Sequence, residues 1–93
     1  MKLAYDPAKR QLTLEQRGLD FEDALHVFAG FHLTGPDLRR DYGERREITV
    51  GMVGDMVVVL VWTMRDDSRR IISMRKASTD EREAYRREVE RSR

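Results

Sequence analysis

The chain contains no cysteine, which excludes disulfide staples and thiolate zinc sites. A cysteine-free chain suits a reducing compartment, and the cytoplasm is the expected location. Long apolar stretches are also missing. The longest, Met56 to Trp62, falls far short of the roughly 20 residues that a membrane-spanning helix needs. The opening Met1-Lys2-Leu3-Ala4-Tyr5-Asp6 has no apolar core region and does not read as a signal peptide. There is no glycine-rich phosphate loop, no Ser/His/Asp set by spacing and no cluster with metal-ligand spacing, so neither a metal nor an organic cofactor is expected. With 93 residues the expectation is a single domain over residues 1–93. A chain this short buries only about 60% of its unfolded surface and is marginally stable alone. That favours a stabilising partner or self-association.

What the chain has in abundance is arginine. All Lys+Arg residues except Lys2, Lys9 and Lys76 are arginines. The net charge of +1 conceals a division: 8 Lys+Arg face 10 Asp+Glu up to Met64, and 10 face 7 beyond it. Guanidinium forks match phosphate and carboxylate groups bidentately, so an arginine-rich surface suits nucleic acid or an acidic partner. The plainer alternative is a solvated, salt-bridged surface.

The hydropathy pattern places the elements. Asp6-Pro7 reads as a helix start, with Asp6 capping and Pro7 in the first turn; the helix should stop at Gly18. Asp20 caps a second helix, in which Phe21, Ala24, Leu25 and Phe28 fall on one stripe and Gly30 ends the run. The period then changes. Ile48, Val50 and Met52 alternate with Thr49 and Gly51 as a half-buried strand does, and Gly54-Asp55 signals a turn. Met56 to Trp62 reads as a strand buried on both faces. Asp66-Asp67-Ser68 makes the next turn, and Arg69 to Met74 forms another strand. An edge strand within His32–Arg40, broken at Gly35-Pro36, is also expected. Ser78-Thr79-Asp80-Glu81 fits a capping box, opening a last helix with only Ala84, Tyr85 and Val89 as apolar contacts. The expected class is α+β: two N-terminal helices, an antiparallel meander and a C-terminal helix.

The candidate chemistry is sparse. His26 lies one residue off the apolar stripe and reads as a partly exposed helix position; His32 sits in a loop beside Thr34. Arg69 to Ala77 is richer. Regular alternation would put Ile71, Ser73 and Arg75 on one face and Arg70, Ile72, Met74 and Lys76 on the other. Cations at a strand end beside a helix N-terminus can converge on one anion, or they can pair with Glu81 and Glu83 and hold the last helix. Glu44 and Arg46 pose the same question. Tyr85 can anchor the helix by its ring or offer its hydroxyl to a site.

These residues resemble the BrnT toxins, within the wider RelE-like group of ribonuclease toxins. Tyr5-Asp6-Pro7-Ala8-Lys9 is similar to the family's aromatic-Asp-Pro-x-Lys opening. Gly18-Leu19-Asp20-Phe21-Glu22-Asp23-Ala24 with Val27-Phe28 resembles its Gly-Val-Ser-Phe-Glu-Glu-Ala…Val-Phe. Gly43-Glu44-Arg45-Arg46 resembles its Gly-Glu-x-Arg. Arg70-Ile71-Ile72-Ser73-Met74-Arg75-Lys76-Ala77, followed by Glu81-Arg82 and Tyr85, is similar to its ending. One block departs. Thr13, Gln16 and Arg17 stand where the family has Asn, Lys and His before the glycine.

The resemblance implies a RelE-like fold and metal-independent RNA cleavage that blocks translation and growth. Glu44 is then the candidate base. Arg46 and Arg75 are assigned to the phosphorane charge with Lys76 in support, and Tyr85 or Lys9 is the proton donor. Lys9, Arg17, Arg70 and Ser73 are expected to hold the RNA. It also implies neutralisation by a BrnA-like ribbon-helix-helix antitoxin, with DNA contacted only through that partner, and a toxin–antitoxin heterotetramer or homo-oligomer as the assembly. The alternative is a catalytically weak module that binds its antitoxin and tunes repression of the operon; the changed Gln16-Arg17 pair favours it.

Overall fold

The computed structural model describes residues 2–93. Its elements run β1 (Lys2–Tyr5), α1 (Pro7–Arg17), a 3-10 turn (Phe21–Asp23) leading into α2 (Ala24–Ala29), β2 (Leu33–Pro36), β3 (Glu47–Val53), β4 (Met56–Arg65), β5 (Ser68–Lys76) and α3 (Thr79–Arg91). The helix signals act as expected. The Asp6 carboxylate accepts from the Ala8 amide at 2.9 Å. Gly18 ends α1 in the left-handed conformation, φ 69°, donating its amide to the Leu14 carbonyl. Ser78 and Glu81 complete a reciprocal capping box on α3. No helix among the described residues is long and apolar enough to cross a membrane.

The sheet corrects the expectation of a purely antiparallel meander. β2 to β5 do form one, but β1 adds a parallel strand at the β5 edge, giving the mixed order β1-β5-β4-β3-β2. Leu3 and Tyr5 explain its place, since both pack on the core beneath the N-terminal helices. The edge strand β2 ends at Pro36, at the expected Gly35-Pro36 break, and the Asp37 amide adds one further bond to the Arg46 carbonyl at 2.8 Å.

β4 divides the core. Val58, Leu60 and Trp62 join Leu19, Phe21, Ala24 and Val27 on the face covered by the 3-10 turn and α2. Val57 and Val59 face α3 and pack with Ala77 and Tyr85. Ala84, expected to be an α3 contact, is exposed; the helix rests on Tyr85 with partly buried Val89. Thr49 is fully buried and ties three strands together, its hydroxyl accepting from Trp62 Nε1 of β4 at 2.8 Å and meeting the Thr34 hydroxyl of β2 at 2.8 Å.

A register shift in the β4–β5 pairing overturns the simple alternation expected for β5. Val61 pairs with Ser73 but Trp62 pairs with Ile71, so Ile72 is the unpaired residue of a bulge. Ile71 and Met74 therefore share one core face although they stand three apart. A bulge bends its strand and re-aims the side chains beside it. Here it puts Arg70 and Lys76 on opposite faces of the sheet, opposite Thr63 and Val58 of β4.

Candidate functional site

Four elements meet where β1 leaves the β5 edge. A cavity of about 170 Å³ is lined there by Asp6, Lys9, Glu44, Arg46, Arg65, Arg70, Ile71 and Ile72. Asp6 and Lys9 come from the start of α1, Glu44 and Arg46 from the segment entering β3, Arg65 from the end of β4, and Arg70 from β5. The Glu44 carboxylate is the hub. It accepts from Arg46 Nε at 3.1 Å and lies 3.6 Å from the Arg65 guanidinium. The Tyr42 ring holds Arg46 from the other side, 4.2 Å from the guanidinium carbon to the ring centroid; a ring face attracts a cation through its quadrupole. Lys9 and Arg70 make no ion pair among the described residues. The lining thus carries four cations against two carboxylates, and Asp6 is committed to capping α1.

A second cavity of about 260 Å³ adjoins the first, sharing Lys9 and Ile72, and is completed by Leu12, Thr13, Gln16, Arg17 and Ser73. Arg17 donates to the Met74 carbonyl at 2.9 Å, so it pins α1 to the β5 edge that β1 no longer covers. No α1 residue is buried. The helix is held by such polar contacts, with Arg10 forked on Asp20 at 2.8 and 3.0 Å. A charged cavity opening into a mixed polar and apolar one can take a phosphodiester with its neighbouring nucleoside.

Of the candidate residues, Lys9, Glu44, Arg46 and Arg70 meet in the first cavity, and Arg17 and Ser73 line the second. Arg75, Lys76 and Tyr85 lie elsewhere. Both nitrogens of the Arg75 fork reach Glu81, at 2.7 and 2.9 Å, and so clamp β5 to the start of α3. Tyr85 is buried, and its hydroxyl donates to the Phe31 carbonyl at 2.8 Å. Lys76 sits at the far end of β5. His26 is exposed, and His32 holds the Gly30 carbonyl at 2.9 Å; neither lines the cavities. Arg65 was missed from sequence. The signal was available, because continuing the alternation of Val61 and Thr63 brings Arg65 to the Glu44 side.

The Arg75–Glu81 clamp has a measurable consequence. The Arg75 guanidinium, aided by the Ser78 amide, pulls the Glu81 carboxyl from 4.5 down to about 2. A carboxylate depressed in the folded state stabilises above its unfolded pKa, and that contribution is lost as pH falls through the folded value. Arg75→Ala should therefore flatten the fall in stability between about pH 4.5 and pH 2, measured by urea unfolding at each end. An equal fall in both proteins would refute the clamp.

Against known proteins, the family model described as "Ribonuclease toxin, BrnT, of type II toxin-antitoxin system" matches residues 5–81. The crystal structure of the Brucella abortus ribonuclease toxin BrnT is similar to this one, with a TM-score of 0.64 and 26% sequence identity. That likeness covers 85% of this chain and 99% of the Brucella chain. Among curated proteins there is no significant match.

Proposed function

Because the chain belongs to the BrnT family of ribonuclease toxins of type II toxin–antitoxin systems, we propose that it cuts RNA without a metal ion, in the cavity around Glu44. The gathering of Lys9, Arg46, Arg65 and Arg70 about one carboxylate supports this reading. In the proposed reaction Glu44 takes the proton of a ribose 2′-hydroxyl, whose oxygen bonds to the adjacent phosphorus. The bond from phosphorus to the 5′-oxygen breaks, and Lys9 returns a proton to that oxygen. Arg46 and Arg70 oppose the charge that builds on the phosphorane, a placement that commonly contributes several kcal/mol. Arg17 and Ser73 hold the neighbouring nucleoside. Arg75, with its fork closed on Glu81, keeps α3 in place.

In the cell this activity would arrest translation in the cytoplasm and be silenced by a BrnA-like ribbon-helix-helix antitoxin. That antitoxin would carry the DNA contacts within a toxin–antitoxin heterotetramer. A second reading, an antitoxin-binding module without turnover, is favoured by one observation. Arg17 stands where the family has histidine, with one guanidinium nitrogen on the Met74 carbonyl; arginine does not serve as a base near neutral pH.

Incubation of labelled single-stranded RNA with the protein in excess EDTA distinguishes the two. Undiminished cutting supports the nuclease. No cutting, by a protein that still binds its antitoxin, supports the module.

A further inference from the structure

The far end of β5 carries a second charged cavity. It measures about 350 Å³ and is lined by Asp55, Met56, Val57, Lys76, Ala77, Arg82 and Arg86. Three cations thus face one carboxylate. Among the described residues none of the three makes an ion pair; Arg82 only donates to the Thr79 hydroxyl at 3.3 Å. At the C-terminal end, by contrast, Arg91 pairs with Glu88 and Arg93 with Glu90. Arg82 and Arg86 stand four residues apart, so they share one helix face beside Lys76 at the strand end. Like charges held together without partners repel each other, and an anion in the cavity would relieve that repulsion.

Resting on the nuclease reading above, we propose that this cavity is a second phosphate-binding site, which anchors the backbone of a single-stranded RNA outside the cleavage cavity. The placement along β5 argues for RNA. Arg70 belongs to the cleavage cavity and Lys76 to this one, six residues apart on the same strand. Because of the bulge they lie opposite Thr63 and Val58, five residues apart on β4; at about 3.4 Å per residue that separation is about 17 Å, a span bridged by several nucleotides and not by a single one. Arg17, on the Met74 carbonyl, supplies a cation between them. The cavity offers charge but few groups able to read a base edge, so it would add affinity with little sequence preference. It would make the enzyme favour long strands over short ones.

The test measures binding of an uncleavable 2′-O-methyl RNA by fluorescence anisotropy across a salt series, using a dinucleotide and a longer strand. The variant is Arg82→Ala/Arg86→Ala, whose two side chains are exposed; circular dichroism checks the fold, and Arg82→Lys/Arg86→Lys restores the charge. The wild type is expected to bind the longer strand more tightly. The alanine variant should lose about tenfold on that strand, with the dinucleotide unaffected and the lysine variant near wild type. Its slope of log K against log salt should fall by about 1.4, two cations at about 0.7 each for single strands. An unchanged slope and affinity on the longer strand would overturn the anchoring site while leaving the nuclease reading intact. Failure of the wild type to bind either RNA would overturn both. Loss of affinity for an acidic polypeptide, with RNA binding preserved, would overturn the proposal in favour of a protein partner.

Discussion

Alanine at Arg70 is expected to slow RNA cleavage by about 10²–10³-fold, the loss typical when one preorganised group aimed at developing charge is removed. Arg70 is the cleanest probe in the cavity because it makes no ion pair among the described residues. Removing it strands no carboxylate, so stability should shift by no more than about 0.5 kcal/mol. Arg46→Ala would be harder to interpret, since it takes the 3.1 Å partner from Glu44 and the stacking partner from Tyr42. Single-turnover cleavage with a parallel thermal melt makes the distinction. Arg70→Lys should recover part of the rate, because it keeps the charge and loses the fork. A wild-type rate in a folded Arg70→Ala protein would remove the residue from the mechanism.

The second large effect concerns the core. Phe21 is fully buried beneath the sheet, with its ring meeting the Tyr5 ring edge-on at 6.0 Å. It joins the turn before α2 to β1 and so helps to fix where α1 starts. Phe21→Ala should cost about 3–5 kcal/mol, through lost burial and the cavity left behind. Domains have only about 5–15 kcal/mol in total, and a chain this short sits low in that range. Urea unfolding should show a collapsed midpoint or no folded baseline. Leu25→Ala, on the neighbouring turn but half exposed at 52%, should stay within about 0.5 kcal/mol. Equal losses at the two positions would contradict the core assignment.

Why some of this could be read from sequence and some could not follows from the range of the interactions. Asp6, Gly18, Ser78 and Glu81 act within a turn of their own helix, and local signals of that kind survive in the sequence. The apolar run of β4 is legible because burial on both faces demands it. β1 was not, since four residues hold too little periodicity and its partner is at the other end of the chain. The bulge at Ile72 also escaped, because it arises from pairing with β4 and not from β5 itself. That omission mattered for the site. Alternation puts Arg70 and Lys76 on one face, whereas the folded strand gives Arg70 to the Glu44 cavity and Lys76 to a different one, and Arg75 closes on Glu81. Glu44, Arg46 and Arg70 were singled out by block resemblance, and the fold brings all three to one cavity.

The central claim is a metal-independent cleavage in which the ribose 2′-hydroxyl attacks the adjacent phosphorus. Mass spectrometry of the fragments left by the wild-type protein in excess EDTA tests it most directly. The expected 3′ ends are 2′,3′-cyclic phosphates, facing 5′-hydroxyl ends on the other fragments. Fragments ending in 3′-hydroxyl and 5′-phosphate groups, or cleavage that persists when the ribose at the cut is 2′-deoxy, would contradict it.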